Sequence, residues 1–135
     1  MPTFRKFNAF VEALAEGVHD LSSDTLRVAL SNVTPQASFS ILSDLTQIDY
    51  SAIGDRGLTV SSSSQSGGVY RLVIQDKVLV VSGLVPDFQY VSIYNASTIN
   101  GNLICWADTG AIVSLGNGDT YTIDFDDTNG VLSLA

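Results

Sequence analysis

The chain has one cysteine, one histidine and six cations, and each shortage closes off a class of structure or activity. The lone Cys105 rules out an internal disulfide and suits a reducing compartment. His19 is the only imidazole, and as a general base it would need a nucleophile and an orienting acid within hydrogen-bond reach. No G-x-S-x-G elbow is present, and nothing in the order of residues brings Cys105 or a serine to it. A histidine just after a helix reads more simply as a favourable charge at the helix C-terminus. No catalytic residues are therefore assigned, and the chain is read as a non-enzyme.

Positive charge is also scarce. Six Lys and Arg against fourteen Asp and Glu leave a net charge of −8. Arg5, Lys6, Arg27, Arg56, Arg71 and Lys77 are scattered, with only Arg5–Lys6 adjacent, so neither nucleic acid nor an anionic membrane surface is an expected partner. No apolar run is long enough to span a bilayer; the longest, Val78 to Val81, is strand-sized. The N-terminus shows an amphipathic pattern in place of an apolar export signal, so synthesis and folding in the cytoplasm are expected.

What is there reads as one β-rich domain over residues 1–135. A chain of that length buries roughly 65–70% of its unfolded surface and needs no staple. Hydrophobic residues make up 45% and charged residues 15%. The mean hydropathy of +0.26 implies either strands covered on both faces or an apolar surface awaiting a partner.

Phe4, Phe7, Val11, Leu14 and Val18 recur at helical spacing, which predicts an amphipathic helix over 4–16 with Thr3 as N-cap and Gly17 as stop. From Thr25 the period becomes two, predicting a half-buried strand through Ser31. Residues 32–40 read as loop, 41–48 as a short helical turn or irregular edge, and 49–57 as loop before a strand at Leu58–Ser62. Ser61 to Gly68 reads as an exposed strand end with a flexible hairpin loop, in preference to an interdomain linker.

Further strands are expected at Val69–Gln75, Val78–Leu84, Gln89–Tyr94, Leu103–Ala107, Ala111–Leu115, Thr120–Asp126 and Val131–Leu134. Asn100–Gly101, Asn117–Gly118 and Asn129–Gly130 suggest primed two-residue turns joining them into an antiparallel meander. The expected fold class is mainly β: an antiparallel β-sandwich or jelly-roll-like domain with one N-terminal helix.

The acidic run Asp124 to Gly130 resembles a calcium loop in composition only. Counted from Asp124, the sixth position is Asn129 and the twelfth Ala135, where an EF-hand needs glycine and glutamate. Solvent-facing alternation followed by a turn explains the run, and no metal or cofactor is assigned. Asn32-Val33-Thr34 and Asn95-Ala96-Ser97 match the glycosylation triplet by chance. Trp106, Tyr90 and Tyr94 lie on strands, where core packing is the default and interface anchoring the alternative.

The N-terminal third carries a resemblance. Phe4-Arg5-Lys6-Phe7 through Gly17-Val18-His19-Asp20-Leu21, then Ser23-Asp24-Thr25-Leu26-Arg27-Val28-Ala29-Leu30-Ser31-Asn32 and Pro35, resembles small structural proteins of tailed bacteriophages. Tyr94-Asn95, Asp108-Thr109-Gly110 and Gly118-Asp119-Thr120-Tyr121-Thr122-Ile123-Asp124-Phe125 extend it. Where such proteins carry a GY.AGG pattern, this chain has Tyr50-Ser51-Ala52-Ile53-Gly54-Asp55-Arg56-Gly57.

The resemblance implies a virion structural protein, best read as a capsid decoration or cement protein on the exterior of the head. Its partner would be the major capsid protein, and the chain would be a homo-oligomer, dimer or trimer. A tail or neck component and a ligand- or carbohydrate-binding β-sandwich are the alternatives. No site residues carry over from the resemblance. From exposure and composition, Phe4, Arg5, Lys6 and Arg56, with the loops at 32–40 and 49–57, are the candidate partner contacts.

Overall fold

The two longest strands, β6 (Val85–Asn95) and β7 (Asn102–Leu115), pair antiparallel and form the axis on which the rest is laid in this computed structural model, which describes residues 2–135. A short edge strand, β1 (Arg5–Lys6), adds to β7, and β2 (Leu26–Ser31) adds to β6, giving the order β1-β7-β6-β2. Strands β3 (Val60–Ser66), β4 (Val69–Ile74) and β9 (Leu132–Leu134) form a second sheet in that order. β5 (Lys77–Val80) and β8 (Thr120–Ile123) form a third. One helix, α1 (Asn8–Ala15), lies near the N-terminus. The chain is thus mainly β and antiparallel, as its alternating segments and turns suggest.

A single apolar core joins all three sheets: Leu26, Val28 and Leu30 of β2, Val91 and Ile93 of β6, Leu72 and Ile74 of β4, Leu79 of β5, Ile123 of β8 and Leu132 of β9. This arrangement is compatible with a sandwich. A second, smaller cluster covers the opposite face of the four-stranded sheet, where Ala29, Tyr94, Leu103 and Trp106 meet Phe7 and Leu45. The bulge between β6 and β7 makes both clusters possible. Ile93 pairs with Cys105 but Tyr94 pairs with Leu103, so Ile104 is the extra residue on β7. Ile104 and Cys105 consequently both enter the larger core, while Leu103 and Trp106 enter the smaller one.

Several expectations are corrected. The helix begins at Asn8, not residue 4, and its N-cap is Phe7 with no side-chain bond, not Thr3. Residues 4–7 are extended instead. Arg5 pairs with Trp106, Lys6 with Cys105, and the Phe7 N–H donates to the Ile104 carbonyl. The alternation places Phe4 against Phe125 and Phe7 in the outer cluster, which a helix could not do. Val11 and Val18 of the supposed apolar stripe are exposed, and Phe10 is the fully buried helical residue. The stop at Gly17 holds. Its φ is +79°, and the Val18 and Gly17 N–H groups bond the Ala13 and Leu14 carbonyls in a Schellman closure.

Strand β2 is not half-buried; only Arg27 is exposed along it. Its free edge is sealed by the segment 47–58, whose backbone bonds the Leu26, Val28 and Leu30 positions in turn. The serine run is strand through Ser66, and Gly67–Gly68 makes the tight β3–β4 turn with φ of +60° and +83°. The segments 103–107 and 111–115 are one strand, interrupted where Tyr90 pairs with Asp108 but Phe88 pairs with Val113. The strand expected at 120–126 stops at Ile123, and the one expected at 78–84 stops at Val80.

The C-terminal meander is also overturned. No non-glycine residue has positive φ among the described residues, so none of the three Asn–Gly steps is a primed turn. β8 crosses to β5 and β9 to β4, so two of these steps carry the chain between sheets and the third closes the longer β6–β7 loop.

Gly130 is the most constrained of these turns. Its φ is +80°, and a Cβ there would collide with the backbone carbonyl of Leu72. Gly130→Ala should therefore destabilise the fold by about 3 kcal/mol or more, combining left-handed strain with a backbone clash. Gly67→Ala, where a Cβ meets nothing within 4 Å, should cost only ~1–2 kcal/mol. Chemical denaturation of the two variants against the unmodified chain measures the difference.

Candidate functional site

The four candidate contacts fall into two unlike settings. Arg5 and Lys6 are exposed on β1, with the Arg5 guanidinium 5.2 Å from the centre of the Trp106 ring. Phe4 is half-buried, its ring 5.4 Å from Phe125. Arg56 is engaged within the fold: its guanidinium lies 3.7 Å over the Tyr50 ring and donates to the Val28 carbonyl at 2.7 Å. Tyr50 in turn accepts from the Leu30 N–H and donates to Gln47 Oε1. Arg56 and Tyr50 thus clamp the 47–58 segment to β2.

A different place gathers polar chemistry. A groove of about 540 Å³ runs between the segment after α1 and the end of the second sheet, lined by Leu14, His19, Asp20, Leu21, Ser22, Ser63, Tyr70 and Leu134. The Ser63 and Tyr70 hydroxyls bond each other at 2.6 Å. Tyr70 has its pKa raised, by burial first, with the Ser63 bond opposing. Sequence reasoning missed Tyr70 and Ser63, because β3–β4 pairing joins them and only tertiary packing sets them in the groove with His19.

His19 is 7% exposed and sits 5.2 Å from the Phe10 ring. Behind it Asn95, fully buried on the last position of β6, donates through Nδ2 to Asp24 Oδ2 at 2.6 Å and to His19 Nδ1 at 3.0 Å. Asn95 Oδ1 accepts from the Ser97 N–H. With Nδ1 an acceptor, the neutral ring carries its proton on Nε2, which is buried and without a protein partner. Burial pushes the His19 pKa down, and the Asp24 carboxylate only partly offsets this. The ring is therefore held neutral, and the helix-end charge expected from its position is corrected. The burial of Asn95 also removes that residue as a glycan acceptor in the folded chain.

The acidic turn uses its oxygens locally. Asp126 accepts from the Asn129 and Thr128 N–H groups and from Asn129 Nδ2, and these bonds hold its carboxyl below the usual range. Cys105 is fully buried, and burial pushes its thiol pKa strongly upward. It is an unreactive member of the core.

The His19 arrangement has a pH signature. Above the ordinary histidine value of 6.5, folded and unfolded chains bind the same number of protons there. As the pH falls through that value the unfolded chain takes up a proton that the folded ring refuses, so stability drops until the lowered folded pKa is passed. The carboxylates held low, Asp44 and Asp126 among them, act in a separate window below their ordinary 3.8. Their contribution is present above that value and lost beneath it. Denaturation midpoints measured against pH should show two steps, and His19→Gln should abolish only the upper one.

Comparison of the chain with family models, curated proteins and solved structures finds no match in any of the three.

Proposed function

We propose that this chain is a virion structural protein of a tailed bacteriophage, of the capsid decoration type, which binds the outside of the major capsid lattice and holds neighbouring subunits together. One observation carries the reading beyond the sequence resemblance. Leu84 and Ile99, 87% and 101% exposed, stand just beyond opposite ends of β6. A strand of 11 residues separates them by roughly 35 Å. Singly exposed apolar side chains are ordinary, but a pair at the two tips of a long central strand suits a brace that must grip at two points. Weak contacts at both tips sum to a strong clamp when a lattice presents both partners at once.

The remaining features fit that role. A net charge of −8 keeps many copies apart before assembly. Arg56 is half-buried and bonded to Val28 and Tyr50, while the loop 32–40 carries the exposed Val33. A ligand-binding module is the second reading, favoured by the groove beside His19 and Tyr70.

Heads lacking this chain, incubated with purified protein and sedimented, provide the test. Leu84→Asp and Ile99→Asp should each weaken binding about tenfold, and together should abolish it, without lowering the melting temperature. Binding insensitive to both, or density for the chain confined to the tail, would remove the reading. Saturable shifts of Tyr70 and His19 resonances with a small glycan would favour the ligand module.

A further inference from the structure

The segment before α1 is attached differently from the rest of the fold. Its ladder consists of two residue pairs, Arg5 with Trp106 and Lys6 with Cys105, followed by the Phe7 N–H to Ile104 bond. Three cavities flank it. One of about 320 Å³ separates Phe4, Arg5 and Lys6 from residues 129–133. One of about 140 Å³ lies between Pro2, Thr3 and Phe4 and the Asp126, Gly130 and Val131 side. A third, of about 380 Å³, sets Pro2 against β8 and Asp108. The arm therefore touches the body through the ladder, the Phe4 ring and the Arg5 guanidinium, with open space along its flanks.

The joint to the body is short. Phe7 alone separates β1 from α1, with extended backbone and no side-chain cap. Phe7 is fully buried in the outer cluster, so the body keeps its grip there and any pivot falls at Lys6–Phe7. From that point Pro2–Lys6 reaches about 17 Å when extended, enough to cross to an abutting neighbour. Exchange of an identical element between copies is a low-cost route to an oligomer, and a one-residue joint leaves the arm's direction to the backbone around Phe7.

We propose that Pro2–Lys6 is an exchangeable arm, and that the slot it fills on the β7 edge is an interface for the same arm of a second copy of this chain. The slot identifies its own occupant: the Phe125 ring receives Phe4, the Trp106 face receives Arg5, and the Trp106 and Cys105 backbone receives the ladder. An identical arm makes identical contacts from either chain, so exchange costs little in bonding. Charge is likewise conserved on exchange: Arg5, one of the two cations that the arm carries, acts on Asp108 whichever chain supplies it. This inference concerns the isolated protein and stands or falls separately from binding to heads.

The register supplies a probe, because Lys6 lies directly opposite the native Cys105. Cross-strand partners have Cα separations within disulfide reach. Because Cys105 is shielded once folded, the Lys6→Cys chain is refolded from denaturant under a glutathione redox couple. This should yield chains covalently joined to one another on a denaturing gel without reductant, and light scattering of the unmodified chain should show a closed oligomer. An internally bridged monomer from the oxidised variant would overturn the proposal. So would an unmodified chain that stays monomeric at every concentration; Arg5 and Lys6 would then serve only to keep a sheet edge from pairing. If no bridge forms, removal of residues 2–6 decides, or Phe4→Ala where the shortened chain fails to fold. Loss of the oligomer with an unchanged circular dichroism spectrum supports exchange, and an oligomer that survives excludes it.

Discussion

A long two-stranded ribbon with apolar side chains on both faces cannot stand in water, and the rest of this fold exists to cover one. The extra residue at Ile104 turns two consecutive side chains of β7 into the larger core and directs Leu103 and Trp106 to the opposite face. One face is then closed by the second and third sheets, and the other by the loop bearing Phe39, Leu42 and Leu45. The positive mean hydropathy follows from this double burial far more than from any apolar surface. Removing either cover would expose β6, whose last five positions are all buried.

Double burial also explains how much of the fold was legible. The alternation at Tyr121 and Ile123 is clean because β8 is covered on one side only, and it was read as strand without difficulty. β2 looked half-buried because Leu26, Val28 and Leu30 alternate with smaller or polar residues, yet Ala29 packs under the outer cover and Ser31 is buried as well. At the N-terminus two periods compete over four residues. Phe4 and Phe7 fit a helical stripe, but an unoccupied β7 edge outweighs that local preference. The Asn–Gly steps marked turns correctly. They could not say which strands the turns would join, since pairing between distant strands leaves no local trace.

The candidate site was legible in part. His19 was singled out as the only imidazole, but burial keeps it neutral and Asn95, seventy-six positions away, fixes its tautomer, and no spacing rule reveals that contact. Arg56 was named as a candidate partner contact in the loop at 49–57. Its partner is the Val28 carbonyl on a strand edge, a backbone acceptor invisible to side-chain pattern. Arg5 and Lys6 were judged by exposure and remain exposed, though on an edge strand and not on a helix.

The serine-lined hairpin offers an opportunity of another kind. β3 is the outermost strand of its sheet, and the Gly67–Gly68 tip has open space around it. Foreign sequence spliced into that tip would project into solvent without crossing either apolar layer. In the decoration role proposed above, such a splice would be repeated at lattice spacing, making the turn a mount for arrayed epitopes or enzymes.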